Sequence, residues 1–152
     1  KATGSETRAE VKMIEQEMSD MMCDGPAEMD NFTMKFGSAY SQTSDEYSIF
    51  NYYRIAIRIR NSFPVIARGR TAVDYDRTND SVAAFTRADP EGKYEPVEIF
   101  INSTDKPESI DISGSDFREL KAVLTVSSDE VMLDGTTLTL PAFGICVLGE
   151  AK

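Results

Sequence analysis

Apolar residues recur every three or four positions between Tyr47 and Ile66, and every second position beyond Arg70. Ile49, Phe50, Tyr53, Ala56 and Ile57 fall on one side of a helix, and Thr43 with Glu46 reads as a capping box ahead of it. Arg54, Arg58 and Arg60 gather toward its end, where cations complement the helix dipole. The helix, expected over about 44–61, must stop by Pro64, because proline gives no donor and keeps the preceding residue out of helical angles. Phe63, Val65 and Ile66 form an apolar knot there, and Arg68-Gly69 turns the chain outward.

The period-two region predicts strands over 71–76, 81–87, 95–102, 109–113, 121–126, 131–133, 136–140 and 143–148. Turn signals such as "ADPEG", "STDKPE" and "LDGT" separate them. Val97, Ile99 and Ile101 share one face, as do Leu138 with Leu140, and Phe143, Ile145 and Val147. Short strands at this spacing predict a mainly β chain: an antiparallel Greek-key β-sandwich of about seven or eight strands, preceded by one or two helices. Near the start, Val11, Ile14, Met18 and Met21 have helical spacing behind Thr7 and Glu10, and Asp24-Gly25-Pro26 then marks a loop.

Charge changes the picture of partners. The net charge is −10, and residues 71–152 hold 7 Lys/Arg against 16 Asp/Glu. A strand region this acidic repels phosphate backbones and anionic membranes, so neither nucleic acid nor a membrane is expected as a partner. Residues 1–10 are polar and do not have the apolar segment of a targeting signal. Cys146 in "GICVL" reads as a small core residue, and the role of Cys23 stays open.

Chemistry is limited by one count: the chain has no histidine. Ser/Cys-His-Asp catalysis, histidine-based zinc sites and the commonest general base are therefore excluded. No metal or cofactor motif appears, and no catalytic residue is assigned. Asp74 with Asp76, and Asp129 with Glu130, are paired acids flanked by turn signals, which solvated strand edges explain. Tyr75, Phe85, Tyr94 and Phe100 are the aromatics on which a sugar ring could stack, although strands also use aromatics for cross-strand packing. Glycosylation sequons occur at Asn31, Asn79 and Asn102.

The order of these parts carries a resemblance. "DEYSIFNYYRIAIRIRNSFPVIARG" resembles the last helix of the catalytic barrel in the alpha-amylase family of glycoside hydrolases, with its turn into the C-terminal domain. "VAAFTR", "VEIFINSTDKPESIDI" and "TLTLPAFGICVL" are similar to that domain's central and closing strands, and "MCDGPAEMDNFTMKFGS" is similar to the segment ahead of the helix. The likeness covers roughly residues 22–150. Residues 1–21 do not reproduce the family's run near the sugar pocket, so no substrate-binding role is carried onto Arg8 or its neighbours.

The resemblance implies a division into 1–69, the end of a (β/α)8 barrel, and 70–152, a C-terminal β-sandwich domain. It also implies that the family's catalytic carboxylates belong to barrel strands upstream of Lys1, so this chain alone is expected to be inactive. A role in stabilising the barrel follows, with Ile49, Phe50, Tyr53, Ile57, Phe63 and Pro64 packing between domains. The alternative is a β-sandwich module that binds alpha-glucans through its aromatics. Without the barrel, the helix face is expected to fold back on the sandwich or the Met-rich helix, or to pair with a second copy. The resemblance implies a bacterial source, extracellular or cytoplasmic.

Overall fold

The computed structural model describes residues 39–150, together with Lys12, Met13 and Gln16, which are helical. Val11, Ile14, Met18, Met21, Cys23 and the sequon at Asn31 lie outside the described residues. The chain divides into two compact units, 1–41 and 42–152. The second unit carries the sheets and nearly all of the described structure.

Between the helical residues near the start and the sheets, the described residues form α1 (Ala39–Gln42), α2 (Ile49–Ser62) and α3 (Pro64–Arg68). The start of α2 differs from the expected capping box. Residues 43–48 form turns, and Ser48 is the cap, its hydroxyl oxygen accepting from the Asn51 N–H at 3.2 Å while donating to the Gln42 carbonyl at 2.7 Å. Asn51 explains why. Its buried side-chain amide donates to the carbonyls of Gln42, Thr43 and Asp45, at 3.1, 3.2 and 2.6 Å, and so holds residues 42–45 in a turn where a helix would carry those carbonyls along its axis. At the other end α2 stops as expected: Phe63 caps it and Pro64 opens α3.

The strands of the described residues are β1 (Arg70–Val73), β2 (Val82–Ala88), β3 (Val97–Asn102), β4 (Glu108–Asp111), β5 (Phe117–Leu124), β6 (Met132–Asp134), β7 (Thr137–Leu140) and β8 (Ile145–Glu150). All pair antiparallel, in one sheet ordered β1-β2-β3-β8-β5 and a second ordered β4-β7-β6. The expected mainly β sandwich with leading helices is therefore present; most strand boundaries shift by one to four residues, and three of the shifts have clear local reasons. β1 ends early because the Asp74 carboxylate accepts from the Asp76 and Arg77 N–H groups and closes a turn. β5 begins earlier than expected and slips register twice, which breaks the period-two signal along "FRELKAVL". β8 starts after a turn in which Phe143 has φ 53° and the Gly144 N–H donates to the Pro141 carbonyl.

The larger sheet is covered on both sides. Toward the small sheet, Val82, Ala84, Phe100, Cys146 and Leu148 pack with Ile110, Ile112, Leu138 and Leu140. On the opposite face, Val97, Ile99 and Val147 pack with Val65 of α3, and Ile59, Phe63 and Ile66 join them. Strict alternation therefore places Val97 and Ile99 under helices and Phe100 within the sandwich. The result is a three-layer stack of helix, five-stranded sheet and three-stranded sheet.

Candidate functional site

Helix α2 has two apolar sides, and among the described residues one packs against the sheet while the other stays exposed. Residues four apart on a helix lie over one another, so Ile59 and the following Phe63 form a row, and both pack against the sheet. Ile49, Phe50, Tyr53 and Ile57 lie on the outer side, with 46, 38, 63 and 56% of their surfaces exposed. The helical periodicity selected this outer face as the helix's apolar side and missed Ile59. The signal was present: an apolar residue at nearly every odd position from 49 to 59 leaves no side of the helix wholly polar.

Each anticipated packing residue can now be placed. Ile49, Phe50, Tyr53 and Ile57 do not fold back onto the sandwich. Phe63 is half-buried against the chain's own sheet, and Pro64 is exposed. Tyr47, at the start of α2, lines a groove of about 310 Å³ with Leu120, Val123 and Val131, so apolar exposure continues from the helix toward edge strand β5.

The aromatics proposed as a sugar platform do not come together. Phe100 is fully buried between the two sheets, so it offers no ring face to a ligand. Phe85 and Tyr94 pack, half-buried, on the helix-covered face of the large sheet. The Tyr94 ring is flanked by cations: the Lys93 ammonium lies 5.5 Å from its centroid, and the Arg68 guanidinium 5.8 Å away donates to its hydroxyl at 2.7 Å. Tyr75 alone is widely exposed, at 83%, on the turn after β1.

A polar cluster at one end of the sandwich corrects the reading of Asp74 as a solvated strand-edge acid. Glu98 on β3 is 2% exposed, accepts from the Ser115 hydroxyl at 2.8 Å and lies 3.9 Å from the Arg77 guanidinium, which also pairs with Asp74. Burial pushes the Glu98 carboxyl above its ordinary value; the Ser115 hydrogen bond opposes this, and the neighbouring Asp74 adds to it. Burial works in the same direction on Asp74, but the hydrogen bonds and charge of Arg77 outweigh it and hold Asp74 below its ordinary value. A glycosidase pair needs carboxyls about 5 Å apart or more, flanking an open cleft. Glu98 is sealed, so the cluster is a buried ionic network of the fold. Asp76, Asp129 and Glu130 are exposed.

Neither a protein-family model nor a curated protein sequence matches this chain. Solved structures do. Amy13B of Eubacterium rectale is 30% identical with a TM-score of 0.73, over 80% of this chain and 23% of its own length. The alpha-amylase from H. orenii is 22% identical with a TM-score of 0.62, over 84% of this chain and 25% of its own. The trehalulose synthase MutB from Pseudomonas mesoacidophila is 21% identical with a TM-score of 0.60, over 75% of this chain and 20% of its own. The chain thus spans a quarter or less of the length of each of these proteins. Its fold is that of the C-terminal part of alpha-amylase-family enzymes.

Proposed function

We propose that this chain is the non-catalytic C-terminal region of an alpha-amylase- or alpha-glucosidase-like glycoside hydrolase of alpha-glucan metabolism, and that it stabilises the catalytic barrel. The observation that carries this reading is the outer face of α2. Four large apolar side chains stay in water although the same helix already buries another apolar side against the sheet. Completing their burial is worth roughly 1 kcal/mol each, since full burial of such a side chain is worth about 1.5–3 kcal/mol and each is already about half covered. A docked face would therefore contribute roughly 4 kcal/mol, a substantial fraction of a domain's whole stability of about 5–15 kcal/mol. The likeness to a quarter or less of much longer enzymes supports the rest of the parent chain as the partner.

The test is made in the parent enzyme. Tyr53→Asp with Ile57→Asp is expected to shorten the half-life of its hydrolase activity at elevated temperature while leaving the initial rate unchanged. An unaltered half-life would remove the docking role. Hydrolysis of starch or a maltoside by the purified 152-residue chain, above a blank, would overturn the non-catalytic assignment. Saturable binding of maltoheptaose by calorimetry would instead favour a glucan-binding module, for which the dispersed aromatics provide no platform.

A further inference from the structure

The outer face of α2 has a charged edge as well as an apolar centre. Ile49, Tyr53 and Ile57 form one row at four-residue spacing, and Phe50, Arg54 and Arg58 form the next. Both arginines are exposed, and neither has an ion-pair partner among the described residues. Their positions three and four away along the helix are Phe50, Asn51, Ile55, Ile57, Asn61 and Ser62, so no carboxylate on α2 can answer them. From Tyr47 to Arg70 the chain has five arginines and no acidic residue, while residues 71–152 hold 16 acids against 7 bases.

Two like charges one turn apart repel each other, and docking an apolar face beside them strips part of their water. Only an anionic partner relieves both effects. Arginine's planar fork fits carboxylates best, and two such groups would need a spacing of about 6 Å, the rise over four helical residues. We infer that the outer face of α2 docks on a seat that is apolar at its centre and carries carboxylates along one edge, and that these carboxylates take Arg54 and Arg58. The occupant is the upstream part of the same parent chain, so the inference rests on the reading given under Proposed function and adds the chemistry of the partner surface.

The experiment compares charge removal with charge reversal in the parent enzyme. Its readout is the half-life of hydrolase activity at one elevated temperature, at low and high NaCl. Arg54→Ala/Arg58→Ala is expected to shorten the half-life about threefold, and Arg54→Glu/Arg58→Glu about tenfold or more, since reversal sets like charges together. Raising NaCl should narrow the gap between the parent and the reversed variant. If reversal costs no more than removal while Tyr53→Asp/Ile57→Asp still shortens the half-life, the face docks without carboxylates and the inference falls alone. If all three variants match the parent, the docking reading falls with it. A stable dimer of the 152-residue chain that Arg54→Glu/Arg58→Glu dissociates, with the parent enzyme unaffected, would assign the face to a second copy and overturn the inference.

Discussion

Asn102 ties together two loops at one end of the sandwich, and replacing it should cost far more than its small side chain suggests. It is buried at the end of β3. Its amide donates to the carbonyls of Lys106 and Pro141 at 2.7 and 2.9 Å, with a longer contact to Leu140 at 3.4 Å. Its side-chain oxygen accepts from the Thr104 N–H and hydroxyl, both at 2.9 Å. The loop leading into β4 is thereby pinned to the loop between β7 and β8, and both loops cross from one sheet to the other. Each such bond contributes about 0.5–1.5 kcal/mol net, and orphaned buried partners cost more, so Asn102→Ala should lose about 2–4 kcal/mol. With a urea slope of about 2 kcal/mol/M, the midpoint should fall by about 1–2 M, followed by circular dichroism. Asn102→Asp is the sharper test. A carboxylate accepts from Thr104 as before but faces the Lys106 and Pro141 carbonyls with no proton to give, so at neutral pH it should destabilise more than alanine. Part of that loss should return toward pH 4 as the group protonates. Asn102→Ala within about 0.5 kcal/mol of the parent, or Asn102→Asp no worse than alanine at neutral pH, would refute the reasoning. The same bonds make the sequon at Asn102 a poor glycan acceptor in the folded chain.

The buried network sets a pH dependence. Because the folded state raises the Glu98 carboxyl, it favours the protonated form, and its stabilising effect is lost as pH rises from the ordinary glutamate value through the folded one. Glu98→Gln, which cannot ionise, should gain on the parent between pH 4 and 8 in melting temperature, and parallel curves would refute the assignment. Asn51→Ala should free three carbonyls of the turn before α2 and cost about 2–3 kcal/mol, read by thermal melting together with faster amide exchange at residues 48–52. At Gly69 an added Cβ would sit 2.7 Å from the Val65 carbonyl oxygen and 2.9 Å from that of Ala88, both backbone atoms. Gly69→Ala should therefore destabilise by about 1–3 kcal/mol by prying α3 from β2, and a neutral result by urea titration would sink that account.

By itself, the sequence determined the class of the fold and the order of its parts. Hydrophobic period is a local property: three-four spacing marked α2, period two marked most of the strands, and Pro64 stopped the helix without help from distant residues. It also confined the chemistry, since a chain without histidine excludes whole mechanisms wherever its residues end up. Tertiary structure decided which face of each element meets which partner. Alternation placed Val97, Ile99 and Ile101 together but could not say that helices cover that face, or that Phe100 on the other side is sealed between sheets. Nor could periodicity separate Ile59, which packs on the sheet, from Ile49, Phe50, Tyr53 and Ile57, which stay exposed. Asp74 and Glu98 stand 24 positions apart and meet only because β1 and β3 flank β2, and their perturbed protonation follows from that meeting. Local pattern sets what a segment can bury; only packing decides against what, because burial is a property of the pair.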